Sequence, residues 1–118
     1  MECYVEFTDE FEVWWNTLNE KEQEDIDASV RLLEQYGPTL PFPYSSGISN
    51  SKFNHMRELR VQHKGHPYRI LYAFDPRQAA ILLLGGDKTG NDDWYNQFIP
   101  IADKLYSAHL LEIGRTSK

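Results

Sequence analysis

The chain has 118 residues, 41% hydrophobic, 14% aromatic and 25% charged, with a formal net charge of −6 and a pI near 5.1. That composition suits one globular domain over residues 1–118; it is too aromatic for a disordered chain and too short for two cores. No apolar run reaches the ~18 residues of a membrane span, no signal-like leader opens the chain, and the lone Cys3 excludes an intramolecular disulfide framework or a cysteine-rich zinc site.

Residues 2–7 alternate loosely and predict a short strand. Asp9 with Glu12 has the spacing of a capping box, and a short helix to about Leu18 follows, with Phe11, Trp14, Trp15 and Leu18 on one side. Asn19 with Glu22 repeats the signature before a second helix whose stripe is Ile26, Val30, Leu33 and Tyr36. Gly37 and Pro38 end it. Residues 37–55, rich in Pro, Gly and Ser, predict a long surface loop. Three antiparallel strands follow, over 56–62, 68–74 and 79–84, joined by tight turns at Lys64-Gly65 and Asp75-Pro76-Arg77-Gln78. A last helix, capped by Asn91, Asp92 or Asp93, turns Trp94, Phe98, Ile101, Leu105 and Ala108 or His109 inward, and Pro100 kinks it or marks its start. The expected fold is α+β: a short strand, two helices, a three-stranded antiparallel meander and a C-terminal helix.

The acidic pI argues against a nucleic-acid partner only if charge is evenly spread, and it is not. Residues 1–51 carry eleven acids against Lys21 and Arg31, a net −9; residues 52–90 carry +4, and the remainder −1. Most of the N-terminal acidity belongs to the solvated faces of the two helices. The basic middle marks a localised site.

A two-residue loop at Lys64-Gly65 fixes the register of the first hairpin by counting outward. Leu59 then faces Ile70, Val61 faces Tyr68 and Arg57 faces Tyr72, which forms a core face. On the other face Arg60 lies opposite Arg69, with Glu58 beside Arg60 and diagonal to Arg69. Like charges directly opposed destabilise an antiparallel pair, so this conflict is a place where function overrides foldability. Counting from Pro76-Arg77 pairs Tyr72 with Ile81 and Ile70 with Leu83 on the core face, and Leu71 with Leu82 and Arg69 with Leu84 on the other. Two arginines with Lys88 nearby suit a phosphodiester, because guanidinium forks match phosphate oxygens and a lysine anchors charge or moves a proton. Tyr68 and Tyr95 are candidates for stacking on bases. The run Gly85–Gly90 lacks the glycine spacing of a P-loop, His63 and His66 have no third ligand, and no Ser-His-Asp arrangement appears.

Taken together, Met56-Arg57-Glu58-Leu59-Arg60, then Gly65, then Tyr68-Arg69-Ile70-Leu71-Tyr72-Ala73-Phe74, then Ile81-Leu82-Leu83-Leu84-Gly85-Gly86-Asp87-Lys88-Thr89, resemble the phage-derived HigB-type toxins of the RelE/ParE superfamily. The element order also matches. The resemblance implies the toxin of a type II toxin–antitoxin pair, acting in the cytoplasm as an endoribonuclease on mRNA, on the ribosome and with no metal or other cofactor. It implies catalytic roles for Arg60, Arg69, Lys88 and Glu58, with RNA contacts from Arg57, Lys64, Tyr68, Tyr95 and His55. It also implies a helix-turn-helix antitoxin as partner in a hetero-oligomer. A non-catalytic toxin of the gyrase-poisoning type, or one that only binds its antitoxin, is the alternative. A binder has no need to keep two opposed arginines and Lys88 in one cleft.

Overall fold

The computed structural model describes residues 3–116. Its first strand, β1 (Val5–Phe7), leads into α1 (Asp9–Asn16) and α2 (Glu20–Tyr36). Glu2, where the predicted strand begins, lies outside the described residues. The cap of α1 is Thr8 rather than Asp9: its hydroxyl accepts from the Phe11 N–H at 3.0 Å and donates to the Leu83 carbonyl at 2.5 Å. One side chain thereby starts the helix and ties it to the sheet, and Asp9 falls inside the first turn. Asn19 and Glu22 do form the capping box, with both bonds at 2.8 Å. Ile26 and Leu33 are buried as expected, but Tyr36 is exposed, because the helix ends there and Gly37, at φ +55°, turns the chain away.

The segment read as one long loop contains a 3₁₀ turn (Gly37–Thr39) and a strand, β2 (Ser45–Gly47), which pairs antiparallel with Leu59–Arg57. Ser-Ser-Gly carries no apolar alternation. What holds β2 is a buried hydroxyl: Ser45 Oγ lies 2.6 Å from the Tyr72 hydroxyl and accepts from Arg57 Nε at 3.0 Å.

In β3 (Arg57–His63) and β4 (His66–Phe74), the register is the one counted from Lys64-Gly65, with Arg60 opposite Arg69. Lys64 and Gly65 have φ of +49° and +81°, the mirror-image geometry that a two-residue hairpin requires. The second hairpin differs from expectation. Tyr72 meets Leu82 rather than Ile81, and beyond a bulge between Leu71 and Tyr72 the offset grows: Leu71 meets Leu84, Ile70 meets Gly85 and Arg69 meets Gly86. The cause is Gln78, at φ +69°, which adds a left-handed residue after the turn at Asp75. Ile81 and Leu83 consequently face the opposite side of the sheet from the one expected.

With β5 (Ala80–Asp87), the sheet order is β1-β5-β4-β3-β2, and only β1 and β5 run parallel. One face buries Leu59, Val61, Ile70, Tyr72 and Leu82 against Phe11 of α1 and Ile26 and Leu33 of α2. The other buries Leu71, Ala73, Ile81 and Leu83 against α3 (Trp94–Thr116). This helix starts six residues before Pro100 and runs through it. Its buried stripe is Trp94, Ile99, Ala102 and Tyr106, so Ile101 points to solvent instead of inward, and of Ala108 and His109 it is His109 that turns in, toward Asp75. Gly85 and Gly86 lie on opposite faces of β5, under the rings of Trp14 and Trp94 respectively.

The second turn is held by Asp75, whose side chain is fully buried. It accepts from the Arg77 and Ala79 N–H groups, from the Arg77 guanidinium at 2.6 Å and from His109 Nε2 at 2.9 Å. Burial alone raises this carboxyl, but the bonds from His109, Arg77 and Ala79 more than offset it and hold the group below the usual carboxylate range. Its stabilisation is therefore complete above about pH 4, the ordinary aspartate value, and is lost as pH falls through the lower folded value. Asp75→Asn is expected to cost about 2–3 kcal/mol at pH 7. In urea titrations, the gap from the parent chain should narrow as pH is lowered from 5 to 3. A gap independent of pH would overturn this assignment.

Candidate functional site

Alternation along β3 and β4 sends Glu58, Arg60 and Arg69 to the face that α3 covers. Arg60 and Arg69 are directly paired across the strands, and the carboxylate of Glu58 resolves the conflict between them. Arg60 Nη1 donates to Glu58 Oε2 at 3.1 Å, and Arg69 Nε lies 3.5 Å from Oε1. The Glu58 and Arg69 side chains are only 6% and 7% exposed, whereas Arg60 is 29% exposed. Arg69 Nη1 donates to the Tyr68 carbonyl at 3.0 Å, while its buried Nε has ion-pair proximity to Glu58 without a hydrogen bond. Its charge is therefore held in a low-dielectric setting with one carboxylate to balance two guanidiniums.

Two further elements complete the Glu58 shell. Ser46 of β2 donates to Oε2 at 2.6 Å, and the Tyr95 hydroxyl, from the first turn of α3, donates to Oε1 at 2.6 Å. Burial and this bond to Glu58 push the Tyr95 phenol above its ordinary value, although the neighbouring Arg69 pulls the other way. The Tyr95 ring lies 5.4 Å from Lys88 Nζ, so one tyrosine links the lysine to the arginine–carboxylate cluster. Lys88 follows β5, and its N–H donates to the Pro67 carbonyl at 3.0 Å, which fixes its backbone beside the first hairpin.

Two concavities flank the cluster. One, of about 350 Å³, is bounded by Tyr44, Arg60, Gln62 and Arg69 and closed by Ser29 and Leu32 of α2. The other, of about 370 Å³, lies between β2 and α3 and is lined by Glu58, Asp92, Tyr95 and Asn96. Arg60, Arg69, Glu58, Lys88 and Tyr95 are thus brought together. Arg57 is not: it faces the α1–α2 side, with Nε on Ser45. Tyr68 shares that face, buried against Trp14, with its hydroxyl on Glu22. Lys64 sits at the exposed hairpin tip. His55 bonds the Tyr106 hydroxyl, which donates to Phe74, at the end of β4 away from Arg69. His63 and His66 take separate partners, Asp25 at 2.5 Å and Thr89 at 2.9 Å; His63 is buried and ties β3 to α2.

Sequence reasoning missed Ser46, in a strand with no pattern, and the loop residues Phe42 and Tyr44. Phe42 packs its ring 5.1 Å from the Arg60 guanidinium, and the Tyr44 carbonyl accepts from the Arg60 N–H at 2.9 Å. The one available signal was the placing of aromatics in a Pro-rich segment.

Comparison with known proteins agrees with this architecture. Residues 13–107 match the family described as phage derived protein Gp49-like (DUF891). A Mycobacterium tuberculosis protein that carries the name toxin HigB3 is 47% identical over 94 residues, covering 79% of this chain and 81% of that one. Another from the same organism, named toxin HigB2, is 36% identical over 105 residues; the match takes in 87% of this chain and about half, 52%, of HigB2. A mutant of the E. coli toxin RelE, solved in the free state, superposes with a TM-score of 0.57 at 9% identity, over 80% of this chain and 92% of that one. RelE in the RelE–RelB complex from Pyrococcus horikoshii gives 0.56 at 14%, over 77% and 99%. At these identities the structural likeness is one of fold. The chain belongs to the phage-derived Gp49-like family, as a HigB-type protein on the RelE fold.

Proposed function

We propose that this chain is the toxin of a type II toxin–antitoxin pair and cleaves mRNA on the ribosome as a metal-independent endoribonuclease. The observation that carries the reading is the opposed pair Arg60–Arg69, held by one buried carboxylate with Lys88 alongside. In the reaction this favours, the 2′-hydroxyl gives up its proton to a base and attacks the adjacent phosphate, the bond to the 5′ oxygen breaks to leave a 2′,3′-cyclic phosphate, and that oxygen takes up a proton. The protein's part is to position the chain and stabilise the extra negative charge on phosphorus. Arg60, the more exposed of the two, meets the phosphate oxygens first. Arg69 acts from behind, where low dielectric strengthens its field. Lys88 is the candidate for proton transfer or anchoring, and Glu58 sets the direction of both guanidiniums.

An antitoxin partner is supported by the RelE–RelB complex, in which a protein of this fold is bound to RelB. The apolar groove of about 400 Å³ between α1, α2 and β1, lined by Phe7, Phe11, Trp15, Val30 and Leu82, suits an apolar segment of such a partner.

Expression of the chain alone is expected to arrest growth and fragment mRNA. Arg60→Ala or Arg69→Ala should relieve both, with cleavage slowed about 10²–10³-fold. Mapping of mRNA 5′ ends after induction checks this. Arrest with intact mRNA that survives both substitutions would instead establish a non-catalytic toxin.

A further inference from the structure

We propose that Phe42 and Tyr44 form a stacking site for one unpaired RNA base beside Arg60, an inference that rests on the nuclease reading above. Both rings lie in the segment before β2, and both are exposed, at 68% and 48%. The segment is nonetheless fixed: Tyr44 and Ser45 donate their N–H groups to the Pro41 carbonyl at 3.0 and 3.1 Å, and Tyr44 accepts from Arg60 at 2.9 Å. Two aromatic faces are therefore presented to solvent on a backbone that is already ordered, which lowers the entropic cost of binding. Arg60 joins them at 5.1 Å from the Phe42 ring, so a cation for the phosphate stands next to a surface for the base.

The concavity bounded by Tyr44, Arg60, Gln62 and Arg69 extends this surface past the end of β2. Pairing of β2 reaches only as far as Leu59, with one further bond at Arg60, so the next position on that side of β3, Gln62, has no backbone partner among the described residues. An N–H and a carbonyl there, together with the Gln62 amide, offer donors and acceptors to the edge of a base whose face rests on an aromatic ring. Stacking tolerates every base, and an edge contact adds a preference.

The test uses the full chain with a single-stranded uridine octamer carrying one 2-aminopurine, at low ionic strength. The parent chain should quench the 2-aminopurine. Phe42→Ala and Tyr44→Ala should each weaken binding about ten-fold and remove most of the quenching, and Phe42→Trp should retain both. The aromatic variants should keep the salt dependence of binding, whereas Arg60→Ala should reduce its slope by about one. Absent quenching, alanine variants within two-fold of the parent, or a Phe42→Trp chain that fails to bind would each overturn the proposal. So would RNA binding that persists in variants that lose only a co-expressed partner protein. Binding and quenching by a chain whose expression leaves cellular mRNA intact would sink the nuclease reading and uphold the stacking site; mRNA cleavage on expression with unchanged octamer affinities in the alanine variants would do the reverse.

Discussion

Replacing Glu58 with glutamine is expected to lower unfolding free energy by about 3–5 kcal/mol and to slow RNA cleavage at least as much as loss of one arginine. The substitution barely changes volume, so the effect isolates charge. Glu58 accepts from Ser46, Tyr95 and Arg60 and balances Arg69, which is buried beside it. A glutamine presents an NH₂ group to donors at one of its two ends, and it leaves two adjacent guanidiniums without a counterion. The hydroxyls of Ser46 and Tyr95 can reverse their roles; the arginines cannot. Urea unfolding measures the cost. A second chain with Glu58→Gln and Arg69→Met together should recover much of the stability but none of the activity, because the charge that demanded neutralisation has gone. If Glu58→Gln unfolds within 0.5 kcal/mol of the parent, the carboxylate does not hold the cluster.

The largest purely structural effect is expected at Gly85. A methyl group there falls inside the ring of Trp14, whose indole rests on the strand backbone, and Gly86 meets Trp94 on the other face with its added carbon 2.8 Å from Nε1. Neither glycine has a positive φ, so strain in the backbone is not the reason for either. The reason is contact: each tryptophan brings a helix onto β5 at a distance that leaves no room for a side chain. Gly85→Ala should cost about 3 kcal/mol and lower Tm by on the order of 10 °C. In a Trp14→Leu background, where a smaller and flexible side chain can yield, the added cost of Gly85→Ala should fall below ~1 kcal/mol. Equal costs in the two backgrounds would show that Trp14 is not the obstacle.

The first hairpin was legible because a two-residue turn leaves no freedom of register, and the opposed arginines followed from counting alone. The second was not, since nothing in Asp75-Pro76-Arg77-Gln78 announces that Gln78 adopts a left-handed conformation. One added residue reverses which apolar side chains face which layer, and the continuous run Ala79–Leu84 is apolar on both faces and so could not reveal the error. Within the site, Glu58 was visible as a neighbour of Arg60 two residues along the same strand. Ser46 was not, because it arrives from a strand made by tertiary contact. Tyr95 was expected as a stacking residue, whereas its hydroxyl belongs to Glu58. Arg57 and Tyr68 share the parity of Leu59 and Val61, and that parity already placed them on the buried face away from Arg60.

Both margins of the sheet consist of three-residue strands, Val5–Phe7 on one side and Ser45–Gly47 on the other. Inside them lies Ala79–Leu84, a six-residue uncharged apolar segment of the kind that templates cross-β stacking when its backbone is free. The short outer strands offer an incoming chain too little backbone to pair with, and β1 occupies Ala80–Leu82 on the side of β5 that β4 does not reach. The small N-terminal strand is therefore a guard against self-association as well as a part of the fold. Loosening it would bare the backbone of Ala80–Leu82 while leaving the pairing of β3 with β4, and so the opposed arginines, as it is.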